Sequence, residues 1–514
     1  MALTPSSAHQ ALANLDILTE IVSWFEFRCF HRLKPHVRTD WVLEDMDSVF
    51  ESSRERWKGI LEAERVRTLT LAHLARVCKT FREPSLRMLW RQLRGIFPLL
   101  RLLPSLIMVQ DLMGWFGGQE SQFVYHLPAH MLPGEWARLS SYAIYVRELY
   151  HVRPVPIRPG NITEQTWTLL LRAFGNRPLL PNLQVLKWDA EEAHTELAAL
   201  DILLCPSLEQ LSIKCTTPSS MCAHVARDPD AMIQLLSLSH PQSLRELCSS
   251  ACESRHIHLQ SLKALPRFTT IKSLGLCLTI ADIPQADLPP KLELDNLESL
   301  SLYSLPAHGV GLNPAYDVFA STNLRTLDIW RVQYISDAAL QRMSSAWARS
   351  FPCLEVFECS IGFPAMQDSD SDSETEPPLP SPAPLTSLLE PLLDLRRMRE
   401  VIVGFYVSPV VSDHDLTVFA QAWPSLEKLH LGWGTDDSPS SGPGLLGLLA
   451  LSIGCPKLVS LELAEFTFCA EDAAQLPPEP PSPHHALRKL QVTNGMSPDA
   501  YNLVRHKIFP NLPS

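Results

Sequence analysis

The sequence predicts an α/β solenoid, with parallel strands on a concave side and helices on a convex side. Three observations carry that expectation. One phrase keeps returning, a turn residue followed by Leu-x-x-Leu-x-Leu. It reads Pro-Asn-Leu-Gln-Val-Leu-Lys-Trp at 181–188, Pro-Ser-Leu-Glu-Gln-Leu-Ser-Ile at 206–213 and Asn-Leu-Glu-Ser-Leu-Ser-Leu at 296–302. Further copies begin at Asn323, Pro424, Pro456 and Ala486, and weaker ones near Leu244, Ile271, Leu354 and Met398. The leading apolar positions run 183, 208, 244, 271, 297, 324, 354, 398, 426, 458 and 487, so most steps lie between 25 and 32 residues. A period of roughly 20–29 residues is that of leucine-rich repeats, whose units bury their apolar faces only by stacking. Helical patterns ahead of several strands are the third observation.

Each repeat contributes a strand at its Leu-x-Leu, alternate residues pointing inward. Residues 163–174 carry Trp167, Leu170 and Leu171 on one helical face. Residues 337–348 follow Ser336, a good N-cap, and space Leu340, Met343 and Trp347 as a helix does. Residues 416–423 and 445–453 repeat the arrangement, and right-handed crossovers place such helices on the side away from the strands. An earlier strand at 145–151, after a helix at 134–143, opens the array, which runs over 145–495. Residues 496–514 form a terminal cap, with a helix at 498–508 over the last apolar edge. Roughly eleven or twelve strands spaced about 4.8 Å apart span about 55 Å, which suits a protein or long peptide better than a metabolite. Residues 366–384, an Asp/Ser/Glu run followed by prolines, cannot bury apolar surface and are expected to be disordered. A second Pro-rich loop covers 477–483.

A net charge of −12 argues against a general binder of nucleic acid or anionic membrane. Residues 1–7 lack the basic and apolar regions of a secretory leader. The most apolar stretch, 96–116, is interrupted by Arg101, Pro104, Gln110 and Asp111, whereas a membrane helix needs about 20 apolar residues. Twelve cysteines without a compact framework read as reduced thiols of an intracellular protein, cytoplasmic or nuclear. Cys248, Cys252, His256 and His258 invite a zinc reading, but the Cys spacing and the place at a strand end are atypical, so loop thiols and imidazoles are expected. Asp368, Asp370 and Asp372 start like a calcium loop, yet Ser373 stands where Gly is needed and Leu379 where Glu is needed. No metal or cofactor is expected. Phosphate loops, nucleophile elbows, zinc-protease and kinase signatures are missing from the sequence, although scattered Ser, His and Asp leave a triad open by geometry. His484 and His485 read as solvated loop residues.

In Leu-x-x-Leu-x-Leu the second and third x and the residue after the last Leu point outward. That set is Lys187 and Asp189; Gln210, Ser212 and Lys214; Ser299, Ser301 and Tyr303; Thr326, Asp328 and Trp330; Lys428 and His430; Ser460 and Glu462. It is the expected substrate-binding face. Tyr303 and Trp330 are aromatics on adjacent strands, either anchors for a partner or packing beneath a loop. Ser369, Ser371 and Ser373 suit acidophilic kinases, each phosphate adding about −1.5 to −2 charges, or belong to an inert insertion.

Residues 1–105 do not follow the repeat, and 106–144 read as a helical linker. Leu15, Ile17, Leu18 and Ile21 share a face within 14–25. Leu71, Leu74, Val77, Cys78 and Phe81 share another, with Pro84 expected to stop that helix before Leu86, Leu89 and Trp90. One reading is a helical cap for the solenoid.

Ile-Leu-Thr-Glu-Ile at 17–21, Leu-Ala-Arg-Val-Cys-Lys-Thr-Phe at 74–81 and Leu-Arg-Met-Leu-Trp at 86–90 together resemble an F-box. The chain is similar in particular to the F-box proteins of basidiomycete fungi that carry C-terminal leucine-rich repeats. Residues 97–104 and 135–143 resemble that group too, so the likeness covers essentially the whole chain. It implies docking on the Skp adaptor of a cullin–RING ubiquitin ligase, with the repeats selecting an unknown protein substrate. The docking residues it implies are Leu15, Ile17, Leu18, Ile21, Leu74, Val77, Cys78, Leu89 and Trp90. Two departures stand out: Leu15-Asp16 replaces the usual Leu-Pro, and an insert over about 28–66, with Trp41 and Trp57, separates the first two helices. The expected function is a non-catalytic substrate-recognition subunit. The alternatives are a leucine-rich-repeat scaffold without a ligase role and, behind it, a metal or hydrolytic enzyme.

Overall fold

The computed structural model describes residues 18, 20, 46–111, 122–128, 132–151, 161–175, 177–190, 199–215, 236, 242–250, 262–278, 291–304, 318–333, 337–362, 384–405, 409–433, 442–481 and 485–512. The chain divides into two compact units, Met1–Asp189 with Thr195–Leu208, and Ala190–His194 with Glu209–Ser514.

The first unit opens with helix α1 (Met46–Val77) and, after Cys78 in extended backbone, helix α2 (Lys79–Arg91). Two expectations change here. The helix is broken at Cys78, and Pro84 lies inside α2 instead of ending the helix. Nor does residue 66 mark a boundary, because α1 runs unbroken through it. Strand β1 (Gln92–Leu93), helix α3 (Phe97–Leu100), strands β2 (Ile107–Asp111) and β3 (Gln122–His126), helix α4 (Pro133–Ala143), strands β4 (Glu148–His151) and β5 (Asn161–Ile162), helix α5 (Glu164–Phe174) and strand β6 (Val185–Ala190) follow. β1, β4 and β6 pair in parallel, Leu93 opposite Leu149 and Leu149 opposite Leu186. The parallel array therefore begins at β1, earlier than residue 145. The linker is not helical throughout either: β2 and β3 pair antiparallel and β5 joins β3, because Ile-Met-Val and Phe-Val-Tyr are strand formers.

α1 and α2 meet this sheet through charge as well as leucine. Leu71 is fully buried and Arg67 nearly so, Glu64 pairs with Arg94, and Glu148 lies 3.9 Å from Arg91. Burial raises the Glu64 carboxyl despite Arg94 and Arg67, and burial likewise lowers Arg67. α5 is capped by Thr163, whose hydroxyl accepts the Thr166 N–H.

The second unit holds strands β7 (Gln210–Cys215), β8 (Glu246–Ser250), β9 (Ser273–Leu278), β10 (Leu292–Glu293), β11 (Ser299–Ser304), β12 (Phe319–Ala320) and β13 (Thr326–Gln333), helix α6 (Asp337–Ser350), strand β14 (Val356–Gly362), helix α7 (Leu385–Leu389), strand β15 (Glu400–Phe405), helix α8 (Asp413–Ala422), strand β16 (Lys428–Trp433), helix α9 (Leu445–Gly454), strand β17 (Ser460–Glu465), helix α10 (Ala470–Gln475), strand β18 (Lys489–Asn494) and helix α11 (Pro498–Lys507). Apart from the small β10–β12 pair, these strands form one parallel sheet in chain order. All four weaker copies of the phrase supply strands. The apolar positions stay in step from strand to strand: Leu211, Leu247, Leu274, Leu300, Leu327, Phe357, Val401, Leu429 and Leu461 stand side by side, each at most 1% exposed. Behind them lie the buried faces of the helices, Leu340, Met343 and Trp347 of α6, Leu416 and Phe419 of α8, Leu448 and Leu451 of α9. α8 starts in a capping box between Ser412 and Asp415.

The turn residue ahead of each leucine has a physical task. Asn296 Nδ2 donates to the Thr269 carbonyl at 2.7 Å, Asn323 Nδ2 to that of Asp295 at 2.7 Å, and Thr270 Oγ1 to that of Leu244 at 2.7 Å. Each side chain satisfies a carbonyl one repeat back. On the same edge the charges alternate: Lys272 pairs with Glu298 at 2.7 Å, Glu355 lies between Arg325 and Arg399, and Arg399 reaches Glu427 at 2.8 Å.

At the last repeat, α11 buries Ala500 and Val504, followed by Ile508, Phe509 and Leu512. His485 is not solvated: it is 1% exposed, its Nδ1 accepts the Leu487 N–H at 3.1 Å, and its Nε2 stands 3.0 Å from the Cys455 carbonyl. Gly495 sits at φ +88, and a Cβ there would strike the Phe466 carbonyl oxygen. Cys78, Cys205, Cys248, Cys353, Cys359, Cys455 and Cys469 are not joined in disulfides. No helix among the described residues is long and apolar enough to cross a membrane.

Candidate functional site

Two surfaces among the described residues carry the positions expected from the sequence, one in each unit. On α1, the side opposite Glu64, Arg67 and Leu71 carries Val66, Leu69 and Val77, which are 54, 47 and 66% exposed. With exposed His73, their spacing of three, four and four residues makes one stripe along the helix. Leu74 is half-buried beside it. Cys78, at the end of the stripe, is exposed, and its thiol is held below the usual range by the Thr80 hydroxyl at 3.4 Å and by the Phe81 N–H. Leu89 and Trp90 are half-buried, the Trp90 ring 5.0 Å from that of Tyr142. Leu18 is fully buried, which withdraws it from direct contact with a partner. Leu15, Ile17 and Ile21 lie outside the described residues. Val66 and Leu69 were not singled out from the sequence; the signal for them was the three-residue step of apolar side chains just ahead of Leu74.

In the second unit the outward residues form rows across the strands. One row reads Gln210, Glu246, Ser273, Ser299, Thr326, Val356, Glu400, Lys428, Ser460 and Lys489. The next reads Ser212, Cys248, Gly275, Ser301, Asp328, Glu358, Ile402, His430, Glu462 and Gln491. The outward positions expected from the sequence thus fall into register, joined by Glu246, Cys248, Glu358, Glu400 and Ile402, which the weaker repeats hid, and by Gln491 of the last copy. Trp330 is half-buried, while the side chains of Asp189, Lys214 and Tyr303 are outside the described residues, as are Ser369, Ser371 and Ser373. In the first unit, Lys187 holds its ammonium 5.5 Å from the Tyr150 ring centroid.

Charge on this face is uneven. Near the C-terminal end Glu462 takes Lys489 on one oxygen and His430, at 3.4 Å, on the other. Burial pulls its carboxyl up, but Lys489, His430 and Lys428 outweigh burial and hold it below the usual carboxylate range. Asp328 is the reverse case. Burial pushes its carboxyl up to about 6 against the opposing pull of the Trp330 indole and the Ser301 hydroxyl. Its Oδ1 and Nε1 of Trp330 are both enclosed, and the indole is close enough to act on the carboxyl without completing a hydrogen bond of good geometry. A buried acceptor left this way costs about 1–3 kcal/mol. Directly behind, fully buried Cys359 has its thiol pushed up by burial and by the fields of Asp328 and Glu358.

Among the described residues no group of three or more His, Cys, Asp or Glu could hold a metal ion. Cys248 stands on β8, and Cys252, His256 and His258 lie outside the described residues. No protein-family model matches this sequence, and a search of curated proteins finds no match.

Proposed function

We propose that this chain is the non-catalytic substrate-recognition subunit of a Skp/cullin/F-box ubiquitin ligase, in the cytoplasm or nucleus. In this reading α1 and α2 belong to an F-box-like module, and the repeats are a leucine-rich-repeat solenoid whose outward strand residues hold the substrate. The observation that carries it is the exposed stripe ending at Val77, because that last member lies in the segment, 74–81, whose residues resemble the adaptor-docking part of an F-box. The long polar rows of the second unit support a surface for a protein. The contribution to ubiquitin transfer is proximity: holding a target raises the effective concentration of its lysines near the charged conjugating enzyme.

A specific observation favours the scaffold reading as well. Leu18 and Leu71 are fully buried and Glu64 pairs with Arg94, as expected of helices that only cap the first repeat. Co-expression with a Skp-family adaptor separates the two. The receptor reading expects a complex by size-exclusion chromatography that Val77→Glu disrupts while the thermal midpoint stays put. A chain that never takes up the adaptor, or a Val77→Glu variant that binds it undiminished, would overturn the docking assignment.

A further inference from the structure

We propose that the outward face of β11, β13 and β14 is a seat for a cationic side chain, arginine or lysine, presented by the protein this surface selects. The inference rests on the substrate-receptor reading of that face and adds the chemistry of what is recognised.

Asp328 lies in register between Ser301 on one neighbouring strand and Glu358 on the other. Trp330 follows two residues along the same strand and so shares the face. Three other acidic side chains on this sheet or at its strand starts have cations within the chain: Glu462 has Lys489 and His430, Glu298 has Lys272, and Glu427 has Arg399. What acts on Asp328 is burial, the Trp330 indole and the Ser301 hydroxyl, with no lysine, arginine or histidine among its influences. Asp328 Oδ1 and Trp330 Nε1 also complete no hydrogen bond of good geometry. A carboxyl held this way asks for positive charge from outside.

The neighbouring strands carry little side-chain bulk on this face. Ser273, Gly275, Ser299, Ser301 and Thr326 give the neighbouring strands a floor of short side chains. A Cβ at Gly275 would come within 3.0 Å of Cys248 Sγ, so the glycine keeps that floor low. The half-buried Trp330 ring borders it, and an indole face attracts a guanidinium or ammonium group. Arginine suits the seat best, since its planar fork serves carboxylates while its face stacks on an aromatic ring. A neutral ligand would leave Asp328 uncompensated, and an anionic one would add repulsion. The raised Asp328 carboxyl agrees with this, since a bound cation would draw it back toward its ordinary value.

The test uses the full chain labelled with ¹⁵N at its indoles and two capped pentapeptides, Gly-Gly-Arg-Gly-Gly and the same peptide with citrulline. The Trp330 Nε1–H resonance, assigned through its loss in Trp330→Phe, should move saturably with the arginine peptide and stay still with the citrulline one. Asp328→Asn should weaken arginine binding about thirtyfold, as when a desolvated charge pair loses one member, with the remaining indole resonances unchanged. Ser301→Lys supplies a cation from the adjacent strand and should abolish the peptide response while raising the thermal midpoint. It keeps the test decisive if Asp328→Asn fails to fold. Equal shifts with both peptides, no shift with arginine, or undiminished binding by Asp328→Asn would overturn the proposal. Adaptor uptake is measured alongside: its loss with the arginine response intact fails the receptor reading alone, and the converse fails the seat alone.

Discussion

Asp328 is enclosed on β13 with its carboxyl pushed up to about 6, so folding favours its protonated form. Between an unfolded value of about 3.9 and that folded value, the native state holds more proton than the unfolded chain. Stability therefore falls as pH rises through this window, and the deficit persists above it. Asp328→Asn should raise the unfolding free energy at pH 7.5 by up to about 3 kcal/mol and give no such gain at pH 3.5. Urea titrations at the two pH values read the difference; equal effects at both would refute the assignment. His485 slopes the other way. Burial lowers its pKa despite the Cys455 carbonyl, and Nδ1, already accepting the Leu487 N–H, has no place for a second proton. Its contribution is complete above an unfolded value of about 6.5 and is lost as pH falls below that. His485→Ala should melt earlier than the parent at pH 7.5, yet lose less of its midpoint between pH 7 and pH 5.

The turn side chains tie element to element. Asn323→Ala removes the hydrogen bond to the Asp295 carbonyl and should cost roughly 1 kcal/mol, with faster amide exchange in β13 and little change in β17. These strands were legible because leucines at a fixed period mark them, and α5, α6, α8, α9 and α11 were legible from their apolar spacing and caps. β1 was not, since two residues show no alternation. β2 was missed because Ile107, Met108 and Val109 are consecutive apolar residues, all exposed, and such a run does not separate strand from helix. The continuity of α1 was hidden by the charged stretch ahead of Val66. Most outward positions could be read where the phrase was intact. Glu358 and Ile402 escaped because their repeats lack the leucines that set the frame. The enclosure of Asp328 depends on β11 and β14, far off in sequence, and no local pattern announces it. His485 was misread because prolines on its N-terminal side suggest a loop, while its partners Cys455 and Phe509 come from other repeats.

For the molecule as a whole, repeats protect one another only through neighbours, so the ends matter most. Deleting residues 496–514 removes α11 together with Ile508, Phe509 and Leu512, all buried. Hydrogen exchange should then show β17 and β18 unprotected while β4 and β6 in the first unit keep their protection. Uniform loss across both units would mean that the array folds as a single cooperative block.

Along the long parallel sheet of the second unit, the backbone bonds at the strand starts run one way. Lys272 and Ser273 donate to the Arg245 carbonyl, Arg325 and Thr326 to that of Glu298, Glu427 and Lys428 to that of Arg399, and Arg488 and Lys489 to that of Val459. Every donor pair comes later in the chain than its acceptor. When a ribosome releases a repeat, the strand edge it must join has already been made. Order of synthesis and order of docking coincide, so the sheet can be laid down course by course, each finished row serving as the template for the next.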